Sequence, residues 1–258
     1  MYGICNLSII PCRKKPSDAS EMVTQLLFGE HFEIIHKEKN WYHIRCAYDS
    51  YECWIDKKQC HEISKETFNK LSKATITPSL DLIQIITNTT DKFSFPIVIG
   101  SSLPNFGNNE CDIENNKYHY EGQLAEKTKK PQKNSLIEYA YMFLNTPYLW
   151  GGRSPFGIDC SGFTQIVYKL SGIKIKRDAS EQVGQGVAFD FVEEALPGDL
   201  AFFGNKEGKI IHVGIILANN QIIHASGKVR IDTLDHHGIF NVEMKKYSHK
   251  LRIIKRIV

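Results

Sequence analysis

The sequence predicts an α+β protein with a β-rich first half and a mixed second half, and three stretches carry that prediction. Residues 1 to about 60 fall into short apolar runs of alternating character, broken by turn residues, the pattern of small strands. The Gly- and Pro-rich run from Gly151 to Gly157 leads into an apolar helical pattern, with Phe163, Ile166, Val167 and Leu170 on one face and Gly172 as its stop. Further on, KIIHVGIIL and QIIHASG are β-branched runs on either side of Ala218, Asn219 and Asn220, which reads as a β-hairpin.

In order along the chain, ICNLSIIPC, HFEIIHKEKNWYHIRC with a Lys39-Asn40 turn, and YECWID give an all-β segment over residues 1–62. Trp41, Tyr42 and Trp54 are large for so short a segment and are expected in the core of a small barrel. A second β-rich segment spans residues 74–126 (ATITPSLDLIQI, FSFPIVIG, KYHYEGQ), with an asparagine-rich loop from Asn105 to Asn116, and is expected to be a second small barrel. The basic KTKKPQK run places a solvated linker over 127–134. Ser135 and Glu138 form a capping box for a helix to Leu144 whose stripe is Leu136, Ile137, Ala140, Tyr141 and Leu144, opening a domain over 135–258.

Composition narrows the function classes. Of 258 residues, 42% are hydrophobic and 24% charged, an ordinary globular balance, and a formal net charge of +3 is too small to argue for nucleic acid or an acidic membrane surface. No apolar run approaches the roughly 20 residues of a membrane span. The N-terminus MYGICNLSIIPCRKK lacks the basic start, apolar stretch and cleavage site of a leader, so a cytoplasmic location is expected, or a periplasmic or secreted one if a leader has been removed. Seven cysteines, without CxxC, leave at least one thiol unpaired and suit a reducing compartment. Cys46, Cys53, Cys60 and His61 lack the short knuckles of structural zinc sites, and strand alternation explains them as small apolar residues; no metal or cofactor is expected.

Cys160 opens the helical pattern. A cysteine is more often a buried, inert residue, but unpaired backbone N–H groups and the helix dipole at a first turn favour a thiolate, the nucleophilic form. A nucleophile also needs a base and a group to orient that base. His212 and His224 lie in the two hairpin runs. A three-residue loop over Ala218–Asn220 places Gly214 opposite His224 and His212 opposite Ser226, so the histidines share a face; a two-residue Asn219-Asn220 loop sends them to opposite faces.

The order GIDCSGF, PGDLAFF, IIHVGIIL, IIHASG resembles the NlpC family of bacterial cell-wall cysteine peptidases, which have a papain-like fold. The resemblance implies Cys160 as nucleophile, His212 as base and His224 as the polar residue that orients it. SIIPCRKKPSD, QLLFGEHFEII, NWYHIRC and DSYECWID resemble bacterial SH3-like domains, so the expected architecture is a papain-like NlpC domain preceded by two small SH3-like barrels. The combination is similar to γ-D-glutamyl-L-diamino acid endopeptidases, which implies hydrolysis of the amide between γ-D-Glu and meso-diaminopimelate or Lys in murein peptides with a free N-terminal L-Ala. Recognition of that ammonium calls for carboxylates and an aromatic wall. The candidates are Asp159 beside Cys160, and Glu21 and Tyr51 of the first segment, which in such peptidases contributes to the cleft. Arg177, Asp178 and Ser180 in IKRDASEQ resemble a pocket-lining R-x-x-S segment, and the Ser161 hydroxyl with nearby backbone N–H groups is placed to hold an oxyanion. Trp150 and Tyr148 either wall the cleft or pack in the core, and Asp199 reads as a turn residue. Two other readings stand beside this one: a hydrolase of intact peptidoglycan anchored by its SH3-like domains, and a non-enzymatic wall-binding protein.

Overall fold

The structure, a computed structural model, describes residues 1–125, 133–189 and 191–257. The chain divides into two compact units, Met1–Lys127 and Thr128–Val258. The expected linker lies outside the described residues as far as residue 132.

In the first unit, alternation along each strand builds a seven-stranded antiparallel sheet in the order Met22–Leu27, Ile9–Arg13, Glu52–Asp56, Trp41–Cys46, His31–Glu38, Tyr2–Ile4, His61–Ile63. Glu38 pairs with Trp41 across the two-residue Lys39-Asn40 turn, in which Lys39 adopts positive φ. One face buries Ile10, Leu26, Phe32, Ile44 and Ile55, with Cys12, Cys46 and Cys53 among them as small apolar side chains. Of the three large aromatics only Tyr42 enters this core. Trp41 and Trp54 occupy the opposite phase of their strands and stay half-exposed, Trp54 stacking on His43 with ring centroids 4.8 Å apart. The period of two decides this, and the size of an indole does not override it.

The second segment forms a four-stranded sheet in the order Glu110–Ile113, Asn116–His119, Ile83–Asn88, Phe93–Val98. Its Ile86, Ile97, Tyr118 and Tyr120 pack with Ile4, Phe28, Ile63 and Leu71 of the preceding residues, so beside the first segment's own core a second core joins the two β-rich segments. Gly29 (φ +76°) lets the backbones meet, since a Cβ there would lie 1.9 Å from the Ser102 carbonyl oxygen.

In the second unit the first helix is Lys133–Met142. Ser135 therefore lies inside it and is not its N-cap. Its buried stripe is Leu136, Tyr139, Ala140 and Phe143, whereas Tyr141 and Leu144 face outward, a rotation from the expected face that still satisfies i, i+3/i+4, i+7 spacing. The helix Cys160–Leu170 is buried at all eleven positions. It ends in a Schellman motif: Gly172 (φ +75°) donates to Lys169 and Ile173 to Tyr168. Against it lies a sheet in the order Val187–Phe189, Lys246–Arg256, Leu200–Gly204, Ile210–Ile216, Gln221–Ser226, Lys228–Asp235, Gly238–Asn241. The long strand Lys246–Arg256 also pairs with Gly238–Asn241, which closes six strands on themselves. Asp199 is a turn residue whose carboxylate accepts from the Leu196 N–H at 2.8 Å, and it also pairs with Arg256 at 2.7 Å, tying down the C-terminal strand. Among the described residues no helix is long and apolar enough to cross a membrane.

Candidate active site

Cys160 is the first residue of the buried helix, and Asp159 is its N-cap, with extended backbone (φ −92°, ψ 174°) and Oδ1 accepting from the Gly162 N–H at 2.6 Å. Gly162 leaves room for the preceding loop, since a Cβ there would lie 2.4 Å from the Gly152 carbonyl oxygen. Arg177 grips the same carboxylate in a bidentate pair, Nη1 to Oδ1 at 3.0 Å and Nη2 to Oδ2 at 2.6 Å, while Oδ2 also accepts from the Gly151 N–H at 2.9 Å. The Ser161 hydroxyl joins this network, accepting from Arg177 at 2.9 Å and donating to Asp159 at 3.3 Å.

These contacts define the surroundings of three of the expected site residues. Asp159 has a buried guanidinium as its counter-ion. Arg177, 1% exposed, is paired with Asp159. The Ser161 hydroxyl faces the ion pair, which leaves the backbone N–H groups at the helix start as the donors beside the sulfur. Asp178 is at the N-cap position of the short helix Ala179–Gln182 without a side-chain cap bond, and Ser180 is exposed. Gln182, in the same segment, ties this turn to the Cys160 helix by accepting from Thr164 at 2.8 Å and donating to the Ser161 carbonyl at 3.1 Å.

The hairpin takes the three-residue loop. Ile215 pairs with Ile223 and Leu217 donates to the Gln221 carbonyl, so the register puts His212 and His224 on one face, His212 Nε2 lying 2.8 Å from His224 Nδ1. The Val213 backbone N–H, next to His212, reaches the Cys160 sulfur. Burial, followed by the Asp159 charge, pushes the thiol up to about 12, against the lowering effect of the Val213 and Ser161 N–H groups and of Arg177. The resting side chain is therefore a thiol and not the thiolate expected from the helix start alone. Burial, His224 and His249 push His212 well below the usual imidazole value, and it stands neutral, ready to accept a proton. Tyr148 sits close enough to Cys160 for the sulfur's charge to help burial raise its phenol. Trp150 is 59% exposed. Glu21 and Tyr51 belong to the first unit: Glu21 pairs with Lys14 at 3.1 Å on the surface, and Tyr51 is half-buried against the barrel core.

Two residues missed in the sequence complete the cluster. The strand after Gly227 pairs His224 with Arg230, which brings Asp232 diagonally beneath His224, its Oδ2 3.1 Å from Nε2. Extending the hairpin register through Gly227 exposes that position. His249 comes from the long C-terminal strand, where no local pattern marks it. Ligand nitrogens of His212, His224 and His249 lie within 4.8 Å of one another. The rings of His212 and His249 are nearly parallel, however, at 21°, so their in-plane lone pairs do not converge on one ion, and the trio forms a stacked, hydrogen-bonded cluster instead.

Comparison with known proteins follows the same residues. The profile described as NlpC/P60 family matches residues 145–247, and that of the bacterial dipeptidyl-peptidase Sh3 domain matches 12–59. A Bacillus cereus protein named gamma-D-glutamyl-L-lysine dipeptidyl-peptidase is 31% identical over 236 residues, 81% of this chain and 68% of the relative. Dipeptidyl-peptidase 6 of Lysinibacillus sphaericus is 27% identical over 249 residues, 86% of this chain and 87% of that protein. The crystal structure of an NlpC/P60 family protein from Bacillus cereus superposes with a TM-score of 0.82 at 22% identity, covering 100% of this chain and 99% of that one, which is a likeness of fold.

Proposed function

Because the chain belongs to the NlpC/P60 family, we propose that it is a cysteine peptidase that hydrolyses the amide between γ-D-Glu and the following diamino acid, meso-diaminopimelate or Lys, in murein peptides bearing a free N-terminal L-Ala. The observation that carries this reading is that the similarity to a gamma-D-glutamyl-L-lysine dipeptidyl-peptidase covers 81% of the chain, taking in the β-rich first half as well as the Cys160 unit. A dipeptidyl-peptidase releases a dipeptide from an N-terminus, which supports small peptides with a free amine over intact wall.

In this mechanism Cys160 Sγ attacks the γ-carbonyl carbon as its proton passes to His212, and the developing oxyanion is held by backbone N–H groups at the helix start. With Cys160 a thiol and His212 a neutral imidazole, His212 acts as a general base in the attack and not as one half of a standing ion pair. The imidazolium then protonates the departing diamino-acid amine, leaving a thioester, and the same imidazole activates the water that releases L-Ala-γ-D-Glu.

Turnover of L-Ala-γ-D-Glu-diaminopimelate, its Lys counterpart, its N-acetylated form and intact sacculi tests the proposal. The expected result is cleavage of the two free peptides, little or none of the acetylated peptide or sacculi, and none by Cys160→Ala with folding intact. Equal cleavage of the acetylated peptide would overturn the free-amine reading and favour a wall hydrolase. Full activity in Cys160→Ala would end the cysteine mechanism.

A further inference from the structure

We propose that Asp232 is a positioning residue that fixes which nitrogens of His224 and His212 carry protons, and so which nitrogen of His212 is free to act as base. The inference rests on the peptidase reading above for its consequence in catalysis, and on hydrogen bonding alone for the proton arrangement.

Asp232 is 1% exposed. Oδ2 accepts from Arg230 Nε at 2.7 Å and faces His224 Nε2 at 3.1 Å, while Oδ1 accepts from Arg230 Nη2 at 3.0 Å and the Val242 N–H at 3.2 Å. Arg230 is held in turn by Glu243 at 2.9 Å. An ionised carboxylate can only accept, so His224 Nε2 must carry a hydrogen; the other tautomer would set a lone pair against the carboxylate. In a neutral ring, Nδ1 is then an acceptor, and among the described residues the donor at hydrogen-bond distance is His212 Nε2, 2.8 Å away. With its Nε2 protonated, neutral His212 keeps its basic lone pair on Nδ1. Without the carboxylate, the histidine pair could equally carry its protons the other way round, with Nδ1–H on His212 and nothing basic to offer the thiol. The logic is that of a carboxylate holding an imidazole in one tautomer, moved one residue outward.

The first test is 15N NMR of histidine-labelled protein at neutral pH. Both His224 and His212 should show protonated Nε2 and bare Nδ1, and Asp232→Asn should mix the tautomers. The second is a kinetic cycle. Asp232→Asn should lower kcat about ten- to a hundredfold, less than the roughly 10²–10⁴-fold that a positioned base contributes because the base itself is retained, with KM little changed. In a His224→Asn background, where an amide can rotate to suit either neighbour, the same change should cost little further kcat. A structural role alone would instead move thermal stability in both backgrounds and leave the tautomers as they were. The proposal is overturned if His224 carries its proton on Nδ1, or if Asp232→Asn changes neither tautomer nor kcat. Absence of peptidase activity in the parent protein would defeat the functional reading, and the NMR result would still decide the tautomers.

Discussion

His249 lies face to face on His212, ring centroids 4.1 Å apart and planes 21° apart, with the edge of His224 turned toward both. Three imidazoles so close cannot all be charged. Burial, reinforced by His224, holds His249 down to about 4, and burial also lowers His212 and His224.

A pH dependence of stability follows. The folded values lie below the unfolded value near 6.5, so between about pH 6.5 and 4 the unfolded chain binds more protons and stability falls as pH falls. Urea denaturation across that interval should show a declining midpoint. In His249→Phe, which keeps the stack without a titrating group, the decline should be shallower; an unchanged slope would show that His249 is not held neutral.

Reactivity of the sulfur supplies a second test. With the Cys160 thiol raised to about 12 and His212 lowered, the free protein should hold a thiol and an imidazole at neutral pH. Alkylation of Cys160 by iodoacetamide, read by peptide mass spectrometry, should rise about tenfold per pH unit from pH 6 to 9, following the thiolate fraction. A rate already flat from pH 5 upward would mean a preformed thiolate–imidazolium pair.

Much of this site was legible in the sequence because local rules govern it. The loop length between Leu217 and Gln221 fixed the strand register and with it the shared face of His212 and His224. The helix start at Cys160 followed from its Gly- and Pro-rich approach and apolar periodicity. What escaped depends on contacts distant in sequence. The pairing of Asp159 with Arg177 is not legible because the two lie 18 residues apart, and only the fold shows them in bidentate contact. His249 meets His212 through a sheet closure that nothing in SHKLRI announces. Trp41 and Trp54 lie outside the core because strand phase, and not side-chain size, decides which face a residue takes.

The Asp159–Arg177 pair should be costly to break singly. Asp159→Asn keeps a good N-cap for the Cys160 helix but removes the carboxylate that Arg177 grips in a bidentate pair, a loss of about 3–5 kcal/mol for such pairs. Arg177→Met should cost a similar amount by stranding the carboxylate. The double variant should recover a large part of the loss, because neither charge is then buried alone. Chemical denaturation of the three variants measures the coupling, and strictly additive losses would show that the pair contributes nothing as a pair.

Gly214 gives the most direct link between backbone and chemistry. It stands opposite His224 in the hairpin, and a Cβ added there would lie 2.9 Å from the His224 Cβ and 2.7 Å from Ile222 Cδ1. The isoleucine can turn away, but the His224 Cβ is fixed by its own strand, so Gly214→Ala must push the two strands apart by several tenths of an ångström. That displacement falls on the 2.8 Å bond between His212 and His224, whose length leaves little slack. The expected phenotype is a folded protein, destabilised by about 1–3 kcal/mol as for other overpacked cores, whose kcat falls by a larger factor than its stability loss explains. Wild-type kcat in a folded Gly214→Ala protein would show that the close approach of the two histidines is not required for turnover.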